Sequence, residues 1–300
     1  SAALLLAFSG VGTDIVFKQL GEKSNGLVVS QIVPFPTTSA IPLVREYQSV
    51  GKSRGSSDFT HLGLWGHVSA RMMVEALKKT GRDARVLPRT VIYDPELTLS
   101  LPVMMSVTSG LNAIAHAAEG LYAQDSNPVM DLMAEEGIRA LAQALPLVRQ
   151  HSGDIDARGD ALYGAWLCGS VLGNVGMALH HKLCHTLGGS FNLPHAEVHT
   201  VVLPQAIAFN ATAAPKAMTR IERALGVTGK VSAAAGLFDL AANNGAPVAL
   251  RDIGMKESDL DRAAHIAVSN PYWNPRPLGA EQRSDIRDLL HRAYEGVRPD

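Results

Sequence analysis

The sequence predicts a mostly α-helical protein in which a small α/β fragment precedes a helical domain. A β-branched run bounded by Gly26 and Pro34 is typical of a strand. Beyond Gly81, apolar residues recur at helical spacing almost to the end of the chain. Five of the eleven histidines fall between His180 and His199, which indicates a functional site in the helical part. We therefore expect an α/β fragment over residues 1–80 and an all-helical catalytic domain over residues 81–300.

The fragment is expected to contain two strands and two helices. The apolar opening run SAALLLAF has no basic n-region of a signal peptide and favours a strand, and residues 26–33 favour a second one. Residues 41–50 predict a short helix followed by a polar loop. Residues 68–79 combine helical spacing with a basic last turn, so they predict a helix that ends at Gly81.

The domain is expected to be helical after one short strand at residues 91–93. Asn127-Pro128 and Pro194 are helix start signals, because proline fits the first turn, and Gly188-Gly189 is a stop signal. The predicted helices cover residues 110–122, 127–149, 160–187, 195–209, 215–225, 231–244, 257–269 and 280–296.

An uncharged stretch over residues 161–181 approaches the length of a bilayer span. It carries Gly164, Gly169, Gly173 and Gly176 and continues into the histidine-rich segment. This composition indicates a buried helix whose glycines let neighbouring backbone approach closely.

Composition excludes several classes of protein. The 27 Lys and Arg residues balance 28 Asp and Glu residues, so the net charge of −1 gives no basis for binding nucleic acid or an anionic membrane. Cys168 and Cys184 are the only cysteines and form no CxxC pair, which excludes a disulfide scaffold or a zinc ribbon. We expect a cytoplasmic chain that binds a small molecule.

The candidate site consists of two pairs spaced four residues apart and one further histidine. Asn112 and His116 share one helical face, and His181 and His185 share another. The turn at residues 188–194 brings His195 back beside the second pair. Four imidazoles and an amide can hold a divalent metal. They can equally supply a proton donor and bind an anionic substrate.

Five stretches carry a resemblance to a known family: LPRTVIYDPELTL (87–99), SVTSGLNAIAHAAEGLYA (106–123), DALYGAWLCGSVLG (160–173), HHKLCHTLGGSFNLPHAEVHTVVLP (180–204) and NPYWNPRPL (270–278). On these motifs, residues 81–300 resemble the maleylacetate reductases, a branch of the iron-containing alcohol dehydrogenase superfamily. The resemblance implies the helical domain of the dehydroquinate synthase-like fold.

The resemblance also implies roles for individual residues. Asn112, His116, His181 and His195 stand at the superfamily's metal-ligand positions, and His185 at its substrate-facing position. The superfamily has an Asp where this chain has Asn112, and a neutral amide binds iron or zinc less well than a carboxylate. This departure fits a branch that works without a metal.

The implied reaction is reduction of maleylacetate to 3-oxoadipate by NADH or NADPH in the breakdown of aromatic compounds. His185 would donate or relay the proton, and His116, His181 and His195 would favour a dianionic substrate when protonated or hydrogen-bonded. Lys182 is the nearest fixed cation and a candidate substrate ligand. The resemblance is compatible with a homodimer.

The family's pyrophosphate-binding GGGS loop is not found in this sequence, and Gly10-Val-Gly12 is too short a fragment to replace it. No cofactor-binding residues are therefore assigned. Residues 8–14, 27–48 and 67–81 instead resemble the carboxy-terminal part of a branched-chain amino acid periplasmic binding protein, which predicts a chimeric chain joined near residue 82. Two alternatives follow: an inactive remnant without a cofactor domain, or a module that binds a small ligand such as a branched-chain amino acid.

Overall fold

The computed structural model describes residues 5–8, 27–30, 42–53, 67 and 91–300. The chain divides into two compact units, Ser1–Val91 and Ile92–Asp300. The helix predicted over residues 68–79, the Gly10-Val-Gly12 fragment and the predicted boundary after residue 80 lie outside the described residues.

The first unit contains two short strands and one described helix. Strands β1 (Leu5–Phe8) and β2 (Leu27–Ser30) pair in parallel, with Leu5 opposite Leu27. Helix α1 (Pro42–Ser53) begins at a proline and buries Val44. The strands predicted at the opening run and within residues 26–33 are confirmed. The helix predicted over residues 41–50 is confirmed too, but it continues into the expected polar loop.

The second unit is helical throughout its described length apart from its connections. Its α-helices are α2 (Val103–Gly120), α3 (Pro128–Gln150), α4 (Ile155–Asn174), α5 (Leu179–Phe191), α6 (His195–Asn210), α7 (Pro215–Leu225), α8 (Ala233–Asn243), α9 (Leu260–Ser269) and α10 (Arg283–Glu295). Local signals account for the starts of several of them. Asn127, Asp154 and Ser232 accept hydrogen bonds from the free N–H groups of the first turns of α3, α4 and α8. The mostly helical fold is thereby confirmed.

Three local predictions in this unit are wrong. Residues 91–93 form no strand, and a 3-10 turn follows at Pro95–Thr98. The helix expected over residues 160–187 is two helices, α4 and α5, which meet at an angle of 95°. Gly188-Gly189 does not end α5, which continues to Phe191 and stops at Asn192 in the left-handed conformation (φ 54°).

Two hydrophobic clusters form the core of the second unit. The first draws on α2, α3, α4, α7 and α8, and the second on α5, α9 and α10. Helix α6 belongs to both, because Leu203 and Ile207 lie in the first cluster and Val198 and Val202 in the second. The region between α2, α5 and α6 therefore lies at the junction of the two clusters.

Among the described residues, no single helix is long and apolar enough to cross a membrane. Helices α4 and α5 reach the length and apolar composition of a membrane span only when taken together, and they are bent by 95° where they meet.

Candidate active site

Six histidines from three helices come together at the junction of the two clusters. This histidine cluster comprises His116 on α2, His180, His181 and His185 on α5, and His195 and His199 on α6. The ring centre of His181 lies 4.9 Å from that of His116, 5.0 Å from that of His199 and 6.0 Å from that of His185. The rings of His195 and His199 lie 4.3 Å apart. The predicted site histidines are thus brought together, around His181.

A buried carboxylate explains why α5 begins where it does. Glu119 at the end of α2 is fully buried, and its oxygens accept the backbone N–H groups of Ala178 at 2.8 Å and His180 at 2.7 Å. The N–H group of His181 is 3.4 Å from the same carboxylate. An anion at a helix N-terminus satisfies N–H groups that have no partner within the helix. Glu119 therefore joins α2 to the start of α5 and accounts for the break that the sequence did not predict.

The same carboxylate sets the orientation of His181. The Nδ1 atom of His181 lies 2.8 Å from Oε2 of Glu119, and both side chains are nearly inaccessible to solvent. A carboxylate that accepts the Nδ1–H bond leaves the lone pair of a neutral imidazole on Nε2. That Nε2 atom is buried and has no hydrogen-bond partner among the described residues. His181 therefore presents a free acceptor to the site.

His180 and His199 also belong to the cluster, although no role was predicted for them from the sequence. Nε2 of His180 lies 3.0 Å from the backbone carbonyl of His199, so this nitrogen donates and links α5 to α6. Both ring nitrogens of His199 are buried without a partner within the described part of the chain. Unpaired buried polar atoms are costly, and they commonly mark a site that a ligand completes.

Burial makes the central imidazoles neutral. Desolvation, followed by the neighbouring histidines, lowers the pKa of His116 and of His181 to about 3. The pKa of His180 also falls to about 3, chiefly through burial, and that of His199 is lowered further still. Burial raises the pKa of Glu119, while His180 and the backbone N–H groups oppose the rise. Near pH 7, His116 and His181 can therefore offer hydrogen bonds or lone pairs to a substrate but no positive charge.

Asn112 and His116 lie four residues apart on α2, as predicted. Oδ1 of Asn112 is buried and unpaired among the described residues, as is Nε2 of His181. These orphaned acceptors and neutral imidazoles fit a divalent metal, although the set contains no carboxylate apart from Glu119, which is already engaged. His180, His181 and His199 also offer nitrogens within 4.8 Å of one another, but His180 uses Nε2 in the link to α6.

The outer side of the cluster is polar and accessible. His185 and His195 are exposed, and burial, followed by the charges of His195 and Lys182, lowers the pKa of His185. Nδ1 of His185 lies 3.0 Å from the hydroxyl of Tyr272, and the ammonium group of Lys182 lies 5.6 Å from the centre of the Tyr272 ring. We call these three side chains (Lys182, His185 and Tyr272) the rim.

Glu119 and Tyr272 belong to the site but were not predicted from the sequence. Glu119 is the only charged residue on α2, and a single acid on an otherwise uncharged helix three residues after a site histidine is a usable signal. Tyr272 stands within the NPYWNPRPL motif, but nothing local connects it to His185, which is 87 residues away. An apolar cavity of about 130 Å³ between α2, α3 and α4 has none of the six histidines in its lining.

Comparison with known proteins identifies the family. The family model for the "Fe-containing alcohol dehydrogenase family, C-terminal" matches residues 106–294. The chain therefore belongs to this family of oxidoreductases. Among its relatives is a maleylacetate reductase from Burkholderia cepacia, 65% identical over 223 residues, which are 74% of this chain and 62% of the relative. A second from Pseudomonas sp. strain P51 is 62% identical over the same shares. The chain thus spans less than two thirds of the length of these relatives.

Solved structures agree with this assignment. The crystal structure of maleylacetate reductase from Rhizobium sp. strain MTP-10005 is similar with a TM-score of 0.70 and 38% identity, covering 100% of this chain and 98% of that one. The enzyme from Agrobacterium tumefaciens gives a TM-score of 0.70 and 40% identity over the same shares.

Proposed function

We propose that this chain carries the proton-donating and substrate-binding part of an NAD(P)H-dependent reductase that converts maleylacetate to 3-oxoadipate in the breakdown of aromatic compounds. The observation that carries the proposal is the arrangement of exposed His185 beside a buried group of neutral imidazoles. The identity of 62–65% with proteins named maleylacetate reductase supports the choice of substrate.

Within the rim, Lys182 is suited to bind one carboxylate of the substrate. Lys182 forms no ion pair with any acid among the described residues, so its charge is available to an anion. His116, His181 and His195 line the adjacent face, and the first two are neutral at pH 7. Electrostatic recognition of the dianion therefore depends on Lys182, while the imidazoles contribute hydrogen bonds. Of the two predicted ways in which the histidines could favour a dianion, protonation or hydrogen bonding, the lowered pKa values of His116 and His181 favour hydrogen bonding for these two.

Reduction of the carbon–carbon double bond requires a hydride and a proton. A bound nicotinamide would supply the hydride. We assign the proton to His185, because it is the accessible imidazole of the α5 pair and adjoins the buried cluster. His181 and Glu119 form the buried side of the site. The hydrogen bond between them holds both side chains in place.

A metal would be held by His116, His181, His195 and Asn112, with iron or zinc as the candidates, and would polarise a substrate oxygen. Because Asn112 brings no negative charge to the ligand set, we propose that the reaction proceeds without a metal. A chelator added to the assay should leave the rate unchanged, whereas loss of the rate that zinc or iron restores would contradict this.

The activity is tested by following NADH and NADPH oxidation with maleylacetate. The His185→Asn variant should lose at least about 100-fold in kcat, because general acid catalysis typically contributes this much. His265→Asn, which changes an exposed histidine on α9, is the control and should keep the wild-type rate. Failure of the wild-type chain to bind either nucleotide in a fluorescence titration would contradict the proposal.

The missing GGGS loop favours a second candidate, a folded but inactive chain. The nucleotide titration distinguishes the inactive chain from the active reductase.

The resemblance of residues 1–80 to a periplasmic binding protein leads us to propose a fusion near residue 82. Sequencing the coding DNA across that position tests this proposal. Calorimetric titration with branched-chain amino acids tests a binding role for this segment. A cytoplasmic location and a homodimer also remain predictions, the latter open to light scattering.

A further inference from the structure

Tyr272 contacts the proposed proton donor directly. Its hydroxyl lies 3.0 Å from Nδ1 of His185, and the two rings are 6.0 Å apart at an angle of 73°. Tyr272 is 37% exposed, so water can reach its side chain. The contact therefore connects the site's exposed imidazole to solvent through a phenol.

The loop that carries Tyr272 is firmly held. Asn274, two residues further on, exchanges amide hydrogen bonds of 2.7 and 2.8 Å with Asn210 at the end of α6, and its Oδ1 accepts the N–H group of Leu179 at the start of α5. The Arg276 guanidinium lies 4.0 Å from the centre of the Phe209 ring. These contacts fix the loop against α5 and α6, two of the three helices that carry the histidine cluster. The position of Tyr272 is thus set by buried contacts.

The direction of this hydrogen bond is linked to which nitrogen of His185 carries the proton. When the phenol donates to Nδ1, a neutral imidazole keeps its own hydrogen on Nε2. Nε2 lies on the opposite side of the ring from Tyr272. His185 is then ready to donate a proton from that side.

We propose that Tyr272 and His185 form a proton relay for the reduction, an inference that rests on the proposed function. Hydride addition to the alkene carbon farther from the ketone makes an enolate. The Nε2–H bond of His185 breaks as a C–H bond forms at the neighbouring carbon, and the Tyr272 hydroxyl proton passes to Nδ1. The Nδ1 proton then passes back to the phenolate oxygen as water protonates Nε2, which restores the Tyr272 phenol and the starting tautomer of His185. The overall step consumes one hydride and one solvent proton, and no charge remains on the protein.

The first test uses Tyr272→Phe, which removes the hydroxyl and keeps the ring. We expect kcat to fall by about tenfold or more, as for loss of a proton-transfer partner, with KM changed less than about twofold and a larger solvent deuterium isotope effect. Tyr163→Phe, at an exposed tyrosine on α4 that contacts Trp166, is the matched control and should leave all three quantities unchanged. Wild-type kcat and isotope effect in Tyr272→Phe would overturn the relay.

The second test reads the tautomer of His185 without substrate, by ¹⁵N NMR. The relay requires the Nε2–H tautomer in the wild-type chain and a shift towards the Nδ1–H form in Tyr272→Phe, and a wild-type Nδ1–H form would overturn it. If the wild-type chain fails to reduce maleylacetate, the proposed function falls. The NMR result still decides whether Tyr272 sets the protonation of His185.

Discussion

The buried carboxylate of Glu119 shows how a single residue organises the site. It ends α2, caps α5 and holds Nδ1 of His181, and every one of these neighbours is a donor. Tyr122 adds a hydroxyl at 3.4 Å. Burying a carboxylate is costly, so the hydrogen bonds that it accepts must compensate for its lost hydration. The orientation of His181 therefore depends on a residue that does not face the substrate.

Replacement of Glu119 by Gln should be strongly destabilising. The amide nitrogen would face an N–H group of α5 or Nδ1–H of His181, leaving buried donors unpaired. We expect a loss of about 3 kcal/mol or more in the free energy of unfolding, measured by urea denaturation. Glu136→Gln, which removes an exposed ion pair with Arg139 on α3, should cost less than about 1 kcal/mol. Equal losses in the two variants would contradict this account.

The packing of α4 shows what the uncharged, glycine-rich stretch does. A Cβ atom at Gly164 would lie 2.7 Å from Leu141 Cγ and 3.1 and 3.2 Å from backbone atoms of Leu141 and Gly137. The predicted close approach of backbone is therefore confirmed at Gly164. It is wrong at Gly169 and Gly173, where a Cβ atom would meet nothing within 4 Å among the described residues.

This difference predicts opposite effects of one substitution on the same helix. Gly164→Ala should destabilise the protein by about 1–3 kcal/mol, because the backbone of α3 cannot move aside cheaply. Gly169→Ala should be neutral or stabilising by up to about 1 kcal/mol, since alanine favours the helix. Thermal and urea unfolding of both variants provide the comparison. A stabilising Gly164→Ala would show that α3 and α4 are not closely packed there.

At the scale of the second unit, the site lies where two hydrophobic clusters meet, and α6 contributes to both. This position buries His116, His180, His181 and His199 enough to lower the pKa of each. Their protonation states are consequences of the packing of the whole unit. Stability should therefore depend on pH through the site.

We expect stability to fall as the pH drops from about 6.5 towards 4. In that range the unfolded chain binds protons on these histidines and the folded chain does not, so acid favours unfolding by up to about 1.4 kcal/mol per pH unit for each. Glu119, with its raised pKa, acts in the opposite direction, but it is one group against four. Urea unfolding at a series of pH values measures the slope.

His199→Leu provides the matched variant for this prediction. It removes one of the four buried imidazoles and should reduce the slope by about 1.4 kcal/mol per pH unit. His265→Asn, at an exposed position, should leave the slope unchanged. A wild-type stability that is constant between pH 6.5 and 4 would refute the lowered pKa values.

Sequence alone determined the features that depend on near neighbours. Asn127-Pro128 and Pro194 marked helix starts because caps and proline act within one turn, and the spacing of His181 and His185 placed both on one face. The motifs around them identified the family. Only the tertiary structure decided where α4 and α5 separate, which tautomer His181 adopts and which phenol reaches His185. Those features arise from burial and from contacts 59 to 87 residues apart along the chain, and no local pattern encodes them.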